Sequence, residues 1–399
     1  MGEVIFFLLV SFVIALLFLK TVHDPKVFRL LVLAFTTRII VMLLDYYEIV
    51  SIPGSGDVEG FHSVASDNQN STDITVFTNY TVLLTYIYRL TDCSKLLAQY
   101  VNVMMGMIFL YFLNKTLKLV KADRKTHLVI LIIAAIMPNL IFFAAILLRE
   151  AWIEMFLMMS IYYYVRWFLG VGKTTDAVLS ILYVFCATWM HSGCVVVVLG
   201  YMLGFFVYNR RTKAIQFSNS FVPVMTMVVI MALFLISNAD SFLGKFGHLG
   251  DSATEDMMVD VYTAKVEAGS TYLDWLTVTT PAQAVLFAPL KMFYFLFSPI
   301  PLDWRNLMDA IAFLLDSTVY IFLFYQIIKR KSHSPERRYL IRFLLVSFFL
   351  ATFVFAFGTI ASGTAVRHRA KIVAILFVCY GLTGTNNQNK TKDYNLCVQ

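Results

Sequence analysis

The chain has 399 residues, of which 59% are hydrophobic and only 14% charged, with a net charge of +7 and a mean hydropathy of +0.73. A soluble domain needs far less apolar surface, so the solvent for most of this chain is lipid, and a soluble globular protein is excluded. The charge sum says little by itself, because in a membrane protein placement decides its meaning, and no nucleic-acid partner is expected.

In chain order, the opening MGEVIFFLLVSFVIALLFLK lacks a basic leader and an A-x-A cleavage site, so it is expected to be a retained first span rather than a signal peptide. Apolar runs long enough to cross a bilayer follow, giving candidate spans at 4–19, 30–44, 99–113, 127–147, 151–168, 176–190, 194–208, 220–237, 306–328, 339–357 and 371–384. The stretch 284–298 is apolar but ends in Ser-Pro-Ile-Pro and reads as a re-entrant or interfacial piece. The expected fold is therefore an all-α polytopic membrane protein with about eleven crossings in one transmembrane domain, residues 1–399. Interfacial or re-entrant helices are expected in two large outer loops, 45–98 and 238–305.

Most of the 32 Lys and Arg residues fall in or beside 20–29, 114–126, 166–175, 209–219, 329–338 and the C-terminal tail. Positive loops are cytoplasmic, so the N-terminus is expected outside and the C-terminus inside. The cysteines (Cys93, Cys186, Cys194, Cys379 and Cys397) have no metal-ligand spacing and read as free thiols. No metal site and no cofactor are assigned.

Unusual polar residues then collect on the outer side. Arg38 lies mid-span with Asp45 two turns outward on the same face; it either pairs with Asp45 or faces a wet cavity. "PGSGDVEGFH" brings Asp57, Glu59 and His62 in a Gly-rich turn, where Asp57 is either a functional carboxylate or the cap of the next helix. Residues 80–89 read as an amphipathic helix lying flat on the membrane. "AAILLREAWIEMF" puts Arg149 and Glu150 at a span end, with Glu154 one turn on; a structural ion pair between Arg149 and Glu150 is the plain alternative. "TWMHSG" places His191 at the same level, as a site residue or a packed histidine. Loop 238–305 turns apolar and aromatic after Thr271 and reads as a lid or as interface packing. Finally "GTAVRHRAK" carries Arg367, His368, Arg369 and Lys371 just before the last apolar run. Counting crossings back from the tail puts them outside, against the usual charge bias, so they face lipid headgroups or a specific partner.

Clustered cations suit phosphate, whose oxygens meet the guanidinium fork in two parallel bonds, and a carboxylate such as Asp57 can accept a proton from an attacking hydroxyl. A membrane-embedded site of this kind fits a sugar carried on a polyprenyl phosphate or diphosphate.

The outer "SGDVEGFH", the "RE" at a span end, the "SPIPLDW" turn and the late "RHR" resemble bacterial polytopic sugar-transfer proteins: the C-type glycosyltransferase superfamily and the repeat-unit polymerases of O-antigen and capsule assembly. The resemblance implies that Asp57 acts as base or acceptor contact and that Arg149, Arg367 and Arg369 hold a lipid-diphosphate donor. The one-sided clustering adds Lys371 to the donor-holding set, His62 beside Asp57, Glu150 and His191 as positioning groups or an alternative acid/base, and Arg38 and His368 as further substrate-binding candidates. A flippase and a chain-length regulator are the implied partners. Many C-type enzymes carry a soluble C-terminal domain, whereas this chain stops about fifteen residues after its last expected span, which points to the polymerase. Asp57-x-Glu59 is not the Asp-x-Asp that some members use with a metal. A single-sugar transferase using a monophosphate donor and a transporter of an anionic lipid or solute are the rival readings.

Overall fold

The computed structural model describes residues 9–11, 13–14, 22, 24–50, 52, 54–210, 212–215, 271–273, 276, 281–330, 332, 334–359 and 361–383. The expected spans 4–19, for the most part, and 220–237 lie outside these residues.

Helix starts are written locally. Pro25–Tyr46 (α1) opens at Asp24, whose carboxylate accepts from the Lys26 amide at 2.9 Å with Pro25 in the first turn. Ser55–Asp67 (α2) begins after Gly54, held at φ 111°, a conformation that favours glycine. Asn79–Thr91 (α3) has a reciprocal capping box between Thr78 and Thr81. Lys95–Leu119 (α4) is capped by Ser94, and Arg124–Ile136 (α5) by Asp123. Pro138–Ala145 (α6), Glu150–Phe168 (α7), Thr174–Met190 (α8) and Val197–Val207 (α9) follow. A two-residue hairpin, Tyr208–Asn209 (β1) with Ala214–Ile215 (β2), closes this half. The second half holds Pro281–Phe297 (α10), Leu307–Ala312 (α11), a π turn at Phe313–Ser317, Thr318–Lys329 (α12), Pro335–Phe357 (α13), Ser362–Ala370 (α14) and Val373–Leu382 (α15).

The described protein is thus all-α apart from one small hairpin and a bridge from Thr271 to Ala361. Among the described residues, four helical stretches are long and apolar enough to cross a membrane: α1, α4, Asp309–Lys329 and α13; α5 and α6 make a fifth if their bent pair is one span.

Several expectations change. Residues 127–147 are not one helix but α5 and α6, bent by 47° at Met137–Pro138. Proline lacks the amide and clashes with the preceding turn, which breaks the helix there. The stretch 284–298, expected as a re-entrant or interfacial piece, is helical to Phe297 as part of α10, which packs on α13 and α14. Residues 371–384 are not a full span either. The ten residues of α15 reach about 15 Å against a hydrocarbon core of about 30 Å. All ten are buried, because α15 is apolar on every side and is walled by α4, α5, α7, α12 and α13. The cationic α14 sits directly on this buried helix and is covered from outside by α10 and by Tyr272, whose hydroxyl donates to the Thr359 carbonyl at 3.2 Å. Residues 80–89 do form a helix, with Tyr80, Leu84 and Tyr88 buried against the protein.

Candidate functional site

The site is assembled around Glu150, the first residue of α7. Between α6 and α7 the chain runs extended through Ile146, and Asn102 of α4 pins it. The Asn102 amide donates to the carbonyls of Ile146 (2.6 Å) and Leu148 (2.9 Å), and its oxygen accepts from Trp152 Nε1 (2.8 Å). This strap turns Glu150 inward, where its side chain is 0% exposed. The start of α2 rests on the same strap, since a Cβ at Gly54 would lie 3.4 Å from Leu148. Val58 and Phe61 bury the inner face of α2 and leave Asp57 on its outer edge.

From the far end of the chain, α14 delivers Arg367. Its Nε and Nη2 donate to Oε1 (2.7 Å) and Oε2 (3.2 Å) of Glu150, a two-point fork. Its Nη1 donates to the carboxylate of Asp57. One turn later Lys371, also wholly buried, makes an ion pair with Glu150 at 3.3 Å. Arg149 completes the ring of charge: Glu150 lies in the field of Lys371, Arg367 and Arg149 together. Arg149 spends only Nη1, on the Met190 carbonyl at 3.4 Å, and its buried Nε has no hydrogen-bond partner. Three cations therefore face two carboxylates, leaving one positive charge in excess. His191 and His368 meet beside this cluster with rings 5.0 Å apart at 79°, both against Phe355. His368 Nδ1 shares a hydrogen bond with Thr359 at 3.3 Å.

Polar groups continue inward. Glu154, one turn along α7, is buried, its Oε1 has no hydrogen-bond partner, and it lies in the field of Glu150, Arg38 and Lys371. Arg38 is wholly buried and donates to the Ala34 carbonyl (3.1 Å) and to those of Ala134 and Ala135 (3.5 Å), which the break after α5 leaves open.

Three expected partnerships are corrected. Asp45 accepts from Gln99 at 2.6 Å, and Arg38 instead turns to the α5 break. Arg369 does not join Arg367. Its donors are consumed by Asp316, by Ser317 (3.1 Å) and by the carbonyls of Phe295, Leu296 and Ser298 at the end of α10 (3.2, 3.0 and 2.7 Å). It therefore has no donor left for a ligand. His62 does not stand with Asp57; its Nδ1 bonds the Tyr88 hydroxyl at 2.7 Å. Burial, then the Lys95 ammonium, pushes the His62 imidazole below its ordinary value, which favours the neutral ring. The plain alternatives fare no better at two positions: no side chain caps α2, so Asp57 is not a cap, and Glu150 bonds Arg367 rather than Arg149.

Asp316 and Asn102 are the contributors that sequence reasoning missed. Asp316 is a charge inside an apolar run, which by itself marks a buried partner. Among the described residues, no three His, Cys, Asp or Glu side chains gather to hold a metal ion. Compared with protein-family models, with curated proteins and with solved structures, the chain finds no match.

Proposed function

We propose that the protein joins lipid-linked oligosaccharide units on the outer face of a bacterial inner membrane, extending a surface polysaccharide by glycosyl transfer from a polyprenyl-diphosphate donor. The observation that carries this reading is the excess of cations around Glu150, with Asp57 at the exposed rim. Arg149, Arg367 and Lys371 hold the donor's phosphoryl oxygens. The acceptor hydroxyl attacks the anomeric carbon, Asp57 takes its proton, and the bond from that carbon to the diphosphate oxygen breaks. Negative charge grows on the departing diphosphate, so the three cations stabilise the transition state more than the bound substrate. Glu150 keeps Arg367 and Lys371 in place, and His191 with His368 borders the sugar. In the same reading the chain is polytopic with the N-terminus outside and the C-terminus cytoplasmic, as its Lys and Arg distribution favours. A flippase supplies the donor on the outer side, and a chain-length regulator acts on the product.

In cells of the source organism, Arg367→Lys or Asp57→Asn is expected to leave single repeat units in place of long-chain polymer. Normal polymer length in a variant present at wild-type levels refutes the assignment. Addition of a single sugar, seen by mass analysis of the lipid-linked product, moves the assignment to a monophosphate-dependent transferase.

A second reading, transport of an anionic lipid or solute, is favoured by one observation. Charged groups run inward from Asp57 through Glu150 and Glu154 to Arg38, which abuts a broken helix, and such arrangements line transport paths. Under that reading the variants leave their lipid-linked substrate on the cytoplasmic side.

A further inference from the structure

Arg367 is held by its two anionic partners in unequal ways. Glu150 grips Nε and Nη2 at once, is wholly buried, and is shared with buried Lys371. Asp57 touches only Nη1, from a side chain 55% exposed at the first turn of α2. Losing Glu150 would strand two buried cations, whereas Asp57 can swing into water at small cost.

We propose that the Asp57 carboxylate is an exchangeable latch on Arg367, and that the anion it yields to is a diphosphate. This rests on the anionic-donor reading above. With Asp57 in place the three cations exceed their carboxylates by one charge. When Asp57 leaves, Glu150 alone opposes Arg149, Arg367 and Lys371, and the excess becomes two. A diphosphate esterified at both ends carries one negative charge on each phosphoryl group, which matches two; a monophosphate diester carries one. Nη1 of Arg367 and the unpartnered Nε of Arg149 then offer donors to the arriving oxygens. The exchange also has a chemical consequence: the carboxylate is tied to Arg367 until the donor is seated. Donor binding thereby releases the base at the moment a hydroxyl needs it, which disfavours proton abstraction in an empty site.

Calorimetry on the purified full-length protein in detergent, with inorganic pyrophosphate and inorganic phosphate as probes, tests the latch. Removing a competitor of this exposed kind should tighten pyrophosphate binding by about three- to fivefold in Asp57→Asn. Glu59→Gln removes an exposed carboxylate from the same helix and should tighten it less, because a screened charge acts only through its field. Phosphate should bind more weakly than pyrophosphate, and Arg367→Lys, which keeps a cation for Glu150 but loses the fork, should weaken both. Equal or weaker pyrophosphate binding in Asp57→Asn, with binding still dependent on Arg367, overturns the latch and leaves the donor reading standing. An equal gain in Glu59→Gln also overturns the latch, since it reduces the effect to net charge. Failure of both probes to bind wild type and Asp57→Asn removes the donor reading, and the latch with it.

Discussion

Arg367 and Arg369 lie two residues apart on α14, and a helix turns by about 200° over that step, so their guanidiniums leave on opposite sides. Arg367 goes to Glu150 and Asp57; Arg369 goes to Asp316 and the end of α10. The sequence contains this division, since Arg367 and Lys371 are one turn apart and share a face while Arg369 does not. Treating the cluster as one patch hid it. A consequence is that the two arginines fail differently. Arg369→Ala strips Asp316 of its buried counter-charge and opens the carbonyls of Phe295, Leu296 and Ser298, and should cost about 3–5 kcal/mol. Thermal unfolding in detergent is expected to show this as a large fall in midpoint, partly recovered when Asp316→Asn removes the stranded charge.

At the scale of elements, the helices that give the site its walls meet through small residues. A Cβ on Gly200 of α9 would lie 2.0 Å from the Ser347 hydroxyl and 2.5 Å from the Ser347 backbone nitrogen of α13. Backbones this close need glycine, as is usual where membrane helices pack. Gly200→Ala must push α9 from α13 and is expected to cost about 1–3 kcal/mol. Gly363→Ala, at a position with open space around it, serves as its control in the same unfolding assay. Hydropathy located five helices well: the runs 30–44, 99–113, 151–168, 176–190 and 339–357 each lie within one helix. It missed the breaks, because an average over many residues is blind to one proline. Pro138 and the polar run ahead of Ile372 were visible in the chain but carry no weight in such an average.

For the molecule as a whole, residues of 45–98, the start of α7 and α14 come together at one place, and the outward side expected for them from Lys and Arg is a separate property. What sequence could not supply was the pairing itself, since contacts between residues 310 positions apart leave no trace in local pattern. Sidedness is directly measurable. With Cys93 replaced, Glu59→Cys is expected to react with a membrane-impermeant maleimide on intact spheroplasts, and Lys213→Cys only after lysis. Reaction of both on intact cells would reverse or redraw the topology.

The distance along the chain between the Glu150 carboxylate and its counter-charges also sets a schedule for biosynthesis. Glu150 leaves the ribosome 217 residues before Arg367. At about 5–20 residues per second that interval lasts on the order of 10–40 s. Throughout it, the nascent N-terminal half holds the Glu150 carboxylate with Arg149 beside it but without its ion-pair partners at 367 and 371. A chain arrested before residue 367 can never bury Glu150 with its two ion-pair partners, and so presents a ready mark for membrane quality-control proteases.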